Sequence, residues 1–258
     1  MVTMTWLGIN GFAFECGGRT VLIDPYVSRD KVALCRPEVV QRHVPAADVI
    51  LMGHSHWDHL ADVPEIAART GCRIVGSQTT LNICRCLGVP EDRLGQFQAG
   101  QEIRLGPDCS VMPIRSLHKA PVGYPGEYRE LPRAVTQASE YLEGGTWALR
   151  LRFPGVTVLN VGSANLIREE LRGQSCNVLL ASIGGGTEAY LRELLDCVRA
   201  DVLVPTHYDD YLHGTVEAPG GESNLAAFRD LLARVAPAQR LVVPRCMCPV
   251  RLPIALPG

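Results

Sequence analysis

Apolar and polar positions alternate along this chain in many short segments. Residues 3–9, 11–16 and 19–23 read as a meander of β-strands. They are joined by Asn10-Gly11 and Gly17-Gly18, pairs that tolerate the positive φ of tight hairpins. Asp24-Pro25 closes the third strand, and a polar segment without a clear period runs to Ala47. The run from Asp48 to Gly53 reads as a buried strand ending in glycine. Residues 60–70 carry helical spacing, with Pro64 near the first turn and Gly71 as the stop. A strand at 73–75 follows, then a helix over 79–87 capped by Ser77 and broken by Gly88-Val89-Pro90. Strands at 102–105 and 109–114 lead towards His118.

The second half repeats this style. Strands at 146–153 and 156–161 flank a Pro154-Gly155 turn, and a strand at 177–181 runs to Gly184-Gly185-Gly186. Residues 187–199 predict a helix with Leu191, Leu194, Leu195 and Val198 on one face. A strand at 201–204 ends in Pro205-Thr206-His207; an amphipathic helix at 224–235 and a strand at 240–243 complete the chain. Mixed strands, two similar halves and intervening helices predict an α/β protein, an αββα four-layer sandwich with two sheets face to face and helices outside. Residues 1–258 are expected to form one domain. Residues 119–145 stand apart, with three prolines, three tyrosines (Tyr124, Tyr128, Tyr141) and no sustained period. A segment this long without a period is expected to serve as a flap whose tyrosines line a pocket.

Composition narrows the function classes. Hydrophobic residues make up 47% of the 258, enough for a sizeable core, and the net charge of -2 includes no long block of one sign. Nucleic acid and charged lipid surfaces are not expected partners. A small-molecule substrate is, and a homo-oligomer stays open. The first six residues lack a basic leader followed by an apolar run, and no stretch approaches the ~20 apolar residues of a membrane span. The ten cysteines follow no secreted-scaffold spacing, so a cytoplasmic protein with reduced thiols is expected. Cys84-x-Cys86 and Cys246-x-Cys248 read as structural or incidental.

Chemistry concentrates in His54-Ser55-His56-Trp57-Asp58-His59, which directly follows the Gly53 strand end. Imidazole and carboxylate suit a borderline divalent cation such as zinc. Alternate residues can aim His54 and His56 at one point, and Asp58 and His59 at a second. Capping of a helix by a histidine-rich loop is the plainer alternative. Two more histidines, His118 and His207, also follow predicted strands, where one edge of a sandwich could bring them to the same place. His43 and His213 have no such placement.

The order His-x-His-x-Asp-His, then an isolated histidine, then a late Pro-x-His resembles the metallo-β-lactamase superfamily over almost the entire chain. Leu22-Ile23-Asp24-Pro25, Ile183-Gly184-Gly185-Gly186 and Pro205-Thr206-His207-Tyr208-Asp209 look most like the L-ascorbate-6-phosphate lactonase branch. The resemblance implies the metallo-β-lactamase fold and two adjacent metal sites, His54, His56 and His118 in one, and Asp58, His59 and His207 in the other. It also implies a bridging aspartate in a Gly-Asp pair after the next strand. Here that place reads Val161-Gly162-Ser163-Ala164-Asn165. Without a bridging carboxylate two dications repel each other strongly. One tightly held zinc at His54, His56 and His118 is therefore expected, with a second, weaker site left open and Mn2+ or Fe2+ as alternatives.

The function expected is hydrolysis of a small ester, lactone, amide or phosphoester by a metal-activated water. Asp58 would serve as general base, and His207 would protonate the leaving group or hold the developing oxyanion. Alternatives are a mononuclear lyase, isomerase or oxygen-using enzyme, and a metal-binding protein without catalysis. Family members that use iron keep the aspartate, so its loss weighs against iron.

Overall fold

The computed structural model describes residues 1–29 and 34–254. Part of the polar segment before Ala47, residues 30–33, and the last four residues lie outside that description. Six strands of the first sheet come from the N-terminal half: β1 (Val2–Gly8), β2 (Gly11–Cys16), β3 (Arg19–Ile23), β4 (Val49–Leu51), β5 (Arg73–Gly76) and β6 (Leu94–Gln96). The second sheet contains β7 (Ile103–Arg104), β8 (Ser110–Ser116), β9 (Thr146–Phe153), β10 (Val156–Val161), β11 (Gln174–Ser182) and β12 (Val198–Thr206). The first sheet gains β13 (Pro249–Leu252), which pairs antiparallel with β1. The orders are β13-β1-β2-β3-β4-β5-β6 and β12-β11-β10-β9-β8-β7.

The helices are α1 (Pro37–His43), α2 (Trp57–Leu60), α3 (Val63–Thr70), α4 (Gln78–Cys86), α5 (Arg168–Leu171), α6 (Glu188–Cys197) and α7 (Glu222–Val235). The strand Val178-Leu179-Leu180-Ala181 shows how the layers stack. Val178 and Leu180 belong to the large core between the sheets, whereas Leu179 and Ala181 belong to a second core with Leu191, Leu194, Phe228 and Leu232 from α6 and α7. A strand buried on both faces needs a continuous apolar run, and this one has it. Phe14 and Phe153 stack across the sheets with centroids 5.3 Å apart. Two mixed sheets face to face with helices outside are the sandwich the sequence predicts. No helix among the described residues is long and apolar enough to cross a membrane.

Three local expectations are corrected. The helix expected over residues 60–70 is confined to Val63–Thr70, with Asp62 as its N-cap, and Leu60 instead ends α2; Pro64 has no N–H for the carbonyl of Leu60, so the two do not join. Residues 240–243 make a single bridge, Leu203 to Leu241, and no strand, since Pro244 follows and cannot extend the ladder. Instead β13, which the sequence reading missed, closes the sheet. Tyr141 does not line a pocket; it is buried in the large core.

Candidate active site

Parallel strands β3, β4 and β5 end side by side, and the loop after β4 carries the histidines. The loop is built around Asp24. One carboxylate oxygen accepts from Gly53 N–H at 2.7 Å, while the other accepts from Asn10 Nδ2 at 2.8 Å and lies 2.9 Å from His59 Nδ1. Gly53 must be glycine: a Cβ there would stand 2.8 Å from the Asp24 carboxylate. Asn10 carries the network to the second sheet, accepting from Thr206 Oγ1 at 3.1 Å, and it leaves no room for a Cβ on Gly162. The Asn10-Gly11 pair is therefore more than a hairpin turn; it ties both sheets to the histidine loop.

The two predicted clusters meet at this edge, and a third group forms around Asp24. Single atoms from His54, His56 and His118 lie within 4.8 Å of one another, as do those of Asp58, His59 and His207, and those of Asp24, His54 and His59. The ring centroids of His54 are 4.8 Å from His56, 5.0 Å from His118 and 3.9 Å from His59. His118 comes from the end of β8, and its Nδ1–H donates to the carbonyl of Lys119 at 2.9 Å. That hydrogen bond leaves Nε2 unprotonated and free to ligate. His207, with φ +56, is held by its N–H donating to the carbonyl of Ile9 at 2.8 Å. Two residues on, Asp209 forms a buried ion pair with Arg29 and accepts from Ile9 N–H. His43 and His213 sit elsewhere, paired with Glu217 and Asp210.

Electrostatics favour neutral imidazoles in the first cluster. Burial pushes His54 well below its usual range, and the neighbouring histidines add to the effect. Burial also lowers His56, and lowers His118 to about 4. His59 moves the other way: burial opposes its charge, but Asp24 and Asp58 on either side outweigh that and raise it. Burial would raise Asp58, yet His59, His207 and His56 together hold its carboxyl far below the usual carboxylate range. Both ring nitrogens of His54, Nε2 of His56 and Nε2 of His59 are buried without a hydrogen-bond partner among the described residues. Buried polar atoms normally find partners. Orphaned imidazole nitrogens converging on one point are a donor set that suits a divalent cation.

Stability in the absence of metal should expose these shifts. Groups whose folded pKa lies below 6.5 bind fewer protons when folded, so His54, His56 and His118 contribute stability that is present above about pH 6.5 and lost as pH falls towards 4. His59 and Asp62, the latter raised to about 6 by burial, oppose this over part of the range. With three groups against two, and His54 the furthest displaced, chelator-treated protein is expected to melt at lower temperature at pH 5 than at pH 7.5. A thermal scan showing equal or higher stability at pH 5 would contradict that balance.

Two aromatic residues frame the opening. Tyr124, half-exposed, meets His56 edge-on at 6.4 Å, and Tyr211 meets His207 edge-on at 5.7 Å while tilting against Trp57 at 5.8 Å. Segment 119–145 is tied to the site by Ser55 N–H donating to Glu143 O at 3.0 Å and by Tyr128 N–H donating to Thr79 Oγ1 at 2.9 Å. The sequence reading did not single out Asp24, Tyr211 or Lys119 for a role. Asp24 alone left a signal, as an acidic residue at the end of an apolar strand.

The turn after β10 has no carboxylate. Ser163 there accepts from Lys119 N–H at 3.1 Å, and Asn165 Nδ2 donates to the carbonyl of His118 at 3.0 Å. Both brace the turn that carries His118.

The beta-lactamase superfamily domain matches residues 19–208. The chain belongs to the metallo-β-lactamase superfamily. Within it, a UPF0173 protein of Pyrococcus furiosus is 30% identical over 214 residues, covering 81% of this chain and 84% of the relative. A UPF0173 metal-dependent hydrolase of Pyrobaculum arsenaticum is 29% identical over 214 residues, covering 80% and 84%. The metallo-β-lactamase fold protein YhfI of Bacillus subtilis superposes with a TM-score of 0.63 at 15% identity, over 97% of this chain and 100% of that one. This superfamily member therefore has the metallo-β-lactamase fold and belongs to the UPF0173 family of metal-dependent hydrolases.

Proposed function

We propose that this chain is a single-domain hydrolase that cleaves a small ester, lactone, amide or phosphoester with one tightly held divalent cation, zinc being favoured. The observation that carries this reading is the convergence of orphaned imidazole nitrogens from His54 and His56 with the His118 ring beside the Asp58–His207 pair. A cation held by those three imidazoles would supply Lewis acidity towards a carbonyl or phosphoryl oxygen and a water with its pKa lowered towards ~7. The absence of a carboxylate at Ser163 supports one ion over two, since nothing there offsets the repulsion of paired dications.

Proton handling falls to the second cluster. Asp58 Oδ2 lies 3.3 Å from His207 Nε2 and 3.8 Å from His59 Nε2. A carboxyl held so far below its usual range is a poor base alone, because efficient general bases have pKa values near the working pH. Asp58 and His207 are therefore read as a unit. The carboxylate's permanent charge orients the imidazole through its Nε2, and the Asp58–His207 pair would take up the water's proton and return it to the leaving group. This moves the base role from Asp58 alone to the pair. Segment 119–145 is read as the flap, with Tyr124 facing the substrate.

Asp58→Asn keeps the shape and removes the charge. Turnover is expected to fall about 10²–10⁴-fold, the usual size of a general acid–base contribution. Metal content should stay near one equivalent, because the expected ligands are His54, His56 and His118. Unchanged turnover, or loss of the metal, would overturn the assignment. A mononuclear lyase or isomerase would share the single-metal site that Ser163 favours; turnover of an ester, lactone and phosphodiester panel separates the readings.

A further inference from the structure

All but two of the 25 Lys and Arg residues in this chain are arginine, and Lys119 is the one lysine among the described residues. It directly follows His118. Its backbone is fixed at both ends, with N–H on Ser163 Oγ at 3.1 Å and the carbonyl accepting from His118 Nδ1 at 2.9 Å. The side chain therefore starts from a rigid point at the rim of the site, half-buried.

Its tip rests on the glycine triplet after β11. A Cβ on Gly185 would stand 2.7 Å from Nζ, and Gly185 also has φ +72. Gly184 makes the same allowance for His207: a Cβ there would come within 2.3 Å of the His207 carbonyl oxygen and 3.3 Å of Nδ1. Gly184 does not need a left-handed φ, so close approach, not backbone conformation, requires glycine at that position. One turn thus seats both Lys119 and His207.

The ammonium has no carboxylate partner among the described residues. Asp24 is taken by Gly53, Asn10 and His59; Asp58 faces His207 and His59; Asp209 is paired with Arg29. The turn at Ser163 contributes none. A compact ammonium is a point charge with three rotatable donors, suited to an anionic group.

We infer that Lys119 is a specificity-determining residue that selects substrates carrying a carboxylate or phosphate group close to the scissile bond. The inference rests on the hydrolytic reading above. The charged group docks on Nζ over Gly185, which places the reacting carbonyl or phosphoryl group between His118 and His207.

The test uses metal-loaded full-length protein as wild type, Lys119→Met and Lys119→Arg, with metal content and thermal unfolding checked for each. Inorganic phosphate, titrated by calorimetry at fixed ionic strength, is expected to bind about tenfold more weakly to Lys119→Met, as loss of one charge-assisted contact implies. Lys119→Arg should recover most of that loss. In parallel, the ratio of kcat/KM for p-nitrophenyl hydrogen succinate to that for p-nitrophenyl butyrate should fall about tenfold in Lys119→Met and return in Lys119→Arg. Phosphate binding unaffected by Lys119→Met, an absence of saturable phosphate binding by the wild type, or an unchanged ester ratio would each overturn the inference. If the wild type hydrolyses neither ester nor any other substrate, the hydrolytic reading fails, and the phosphate titration still decides whether Lys119 holds an anion.

Discussion

Replacing His54 with alanine is expected to abolish metal binding and activity together. Its imidazole belongs to two of the three clusters and lies closest to the centre, 3.9 Å from His59 and 4.8 Å from His56 by ring centroid. Both of its nitrogens are orphaned in a buried position, and a cation would be the partner of one of them. Removing it leaves His56 and His118, one ligand short of the three that hold a catalytic zinc. A cation supplies several kcal/mol of transition-state stabilisation, so kcat/KM should drop by about 10³-fold or more. Elemental analysis should fall from about one equivalent to near zero. Full metal occupancy and wild-type turnover in His54→Ala would dismantle the site as described.

The second large effect lies outside the cluster. Asp209→Ala should destabilise the protein by about 3–5 kcal/mol, the cost of leaving one member of a buried ion pair uncompensated. Arg29 and Asp209 are both almost fully buried, and Asp209 also accepts from Ile9 N–H at 2.9 Å. Gly8 has no room for a side chain because Arg29 occupies that space. The same loop carries His207, held at φ +56, so activity should decline along with stability. Arg29→Met combined with Asp209→Leu should restore much of the stability, since apolar replacement of a buried pair is often neutral or better. Denaturant unfolding checks both, and a loss under 1 kcal/mol in Asp209→Ala would show that the pair is not the anchor.

Local signals were legible where one strong preference acted alone. Ser77 caps α4 by accepting from Thr80 N–H at 3.1 Å, and Gly71 ends α3 at φ +68. Thr187 caps α6, and β2, β3, β9 and β10 have the expected bounds. Errors arose where two signals competed. Helical spacing across residues 60–70 hid the break that Pro64 imposes. The apolar run at 240–243 resembled a strand but makes only one bridge, while β13, with Pro249 at its start and two exposed residues, looked unremarkable. Tyr141 shared a polar, irregular segment with Tyr124, and composition could not tell the core tyrosine from the one beside His56.

The sequence by itself determined the layered α/β class, the strand ends that carry chemistry, and the donor types, since these follow from periodicity, turn residues and ligand chemistry within short stretches. Tertiary structure alone decided that Asp24 orients His59 through a network reaching Asn10 and Thr206. It likewise decided that Asp58 faces His207 and that Lys119 rests on Gly185. These contacts join residues up to about two hundred positions apart, as Thr206 to Asn10 does, and only the packing of one sheet on the other brings them within hydrogen-bonding distance.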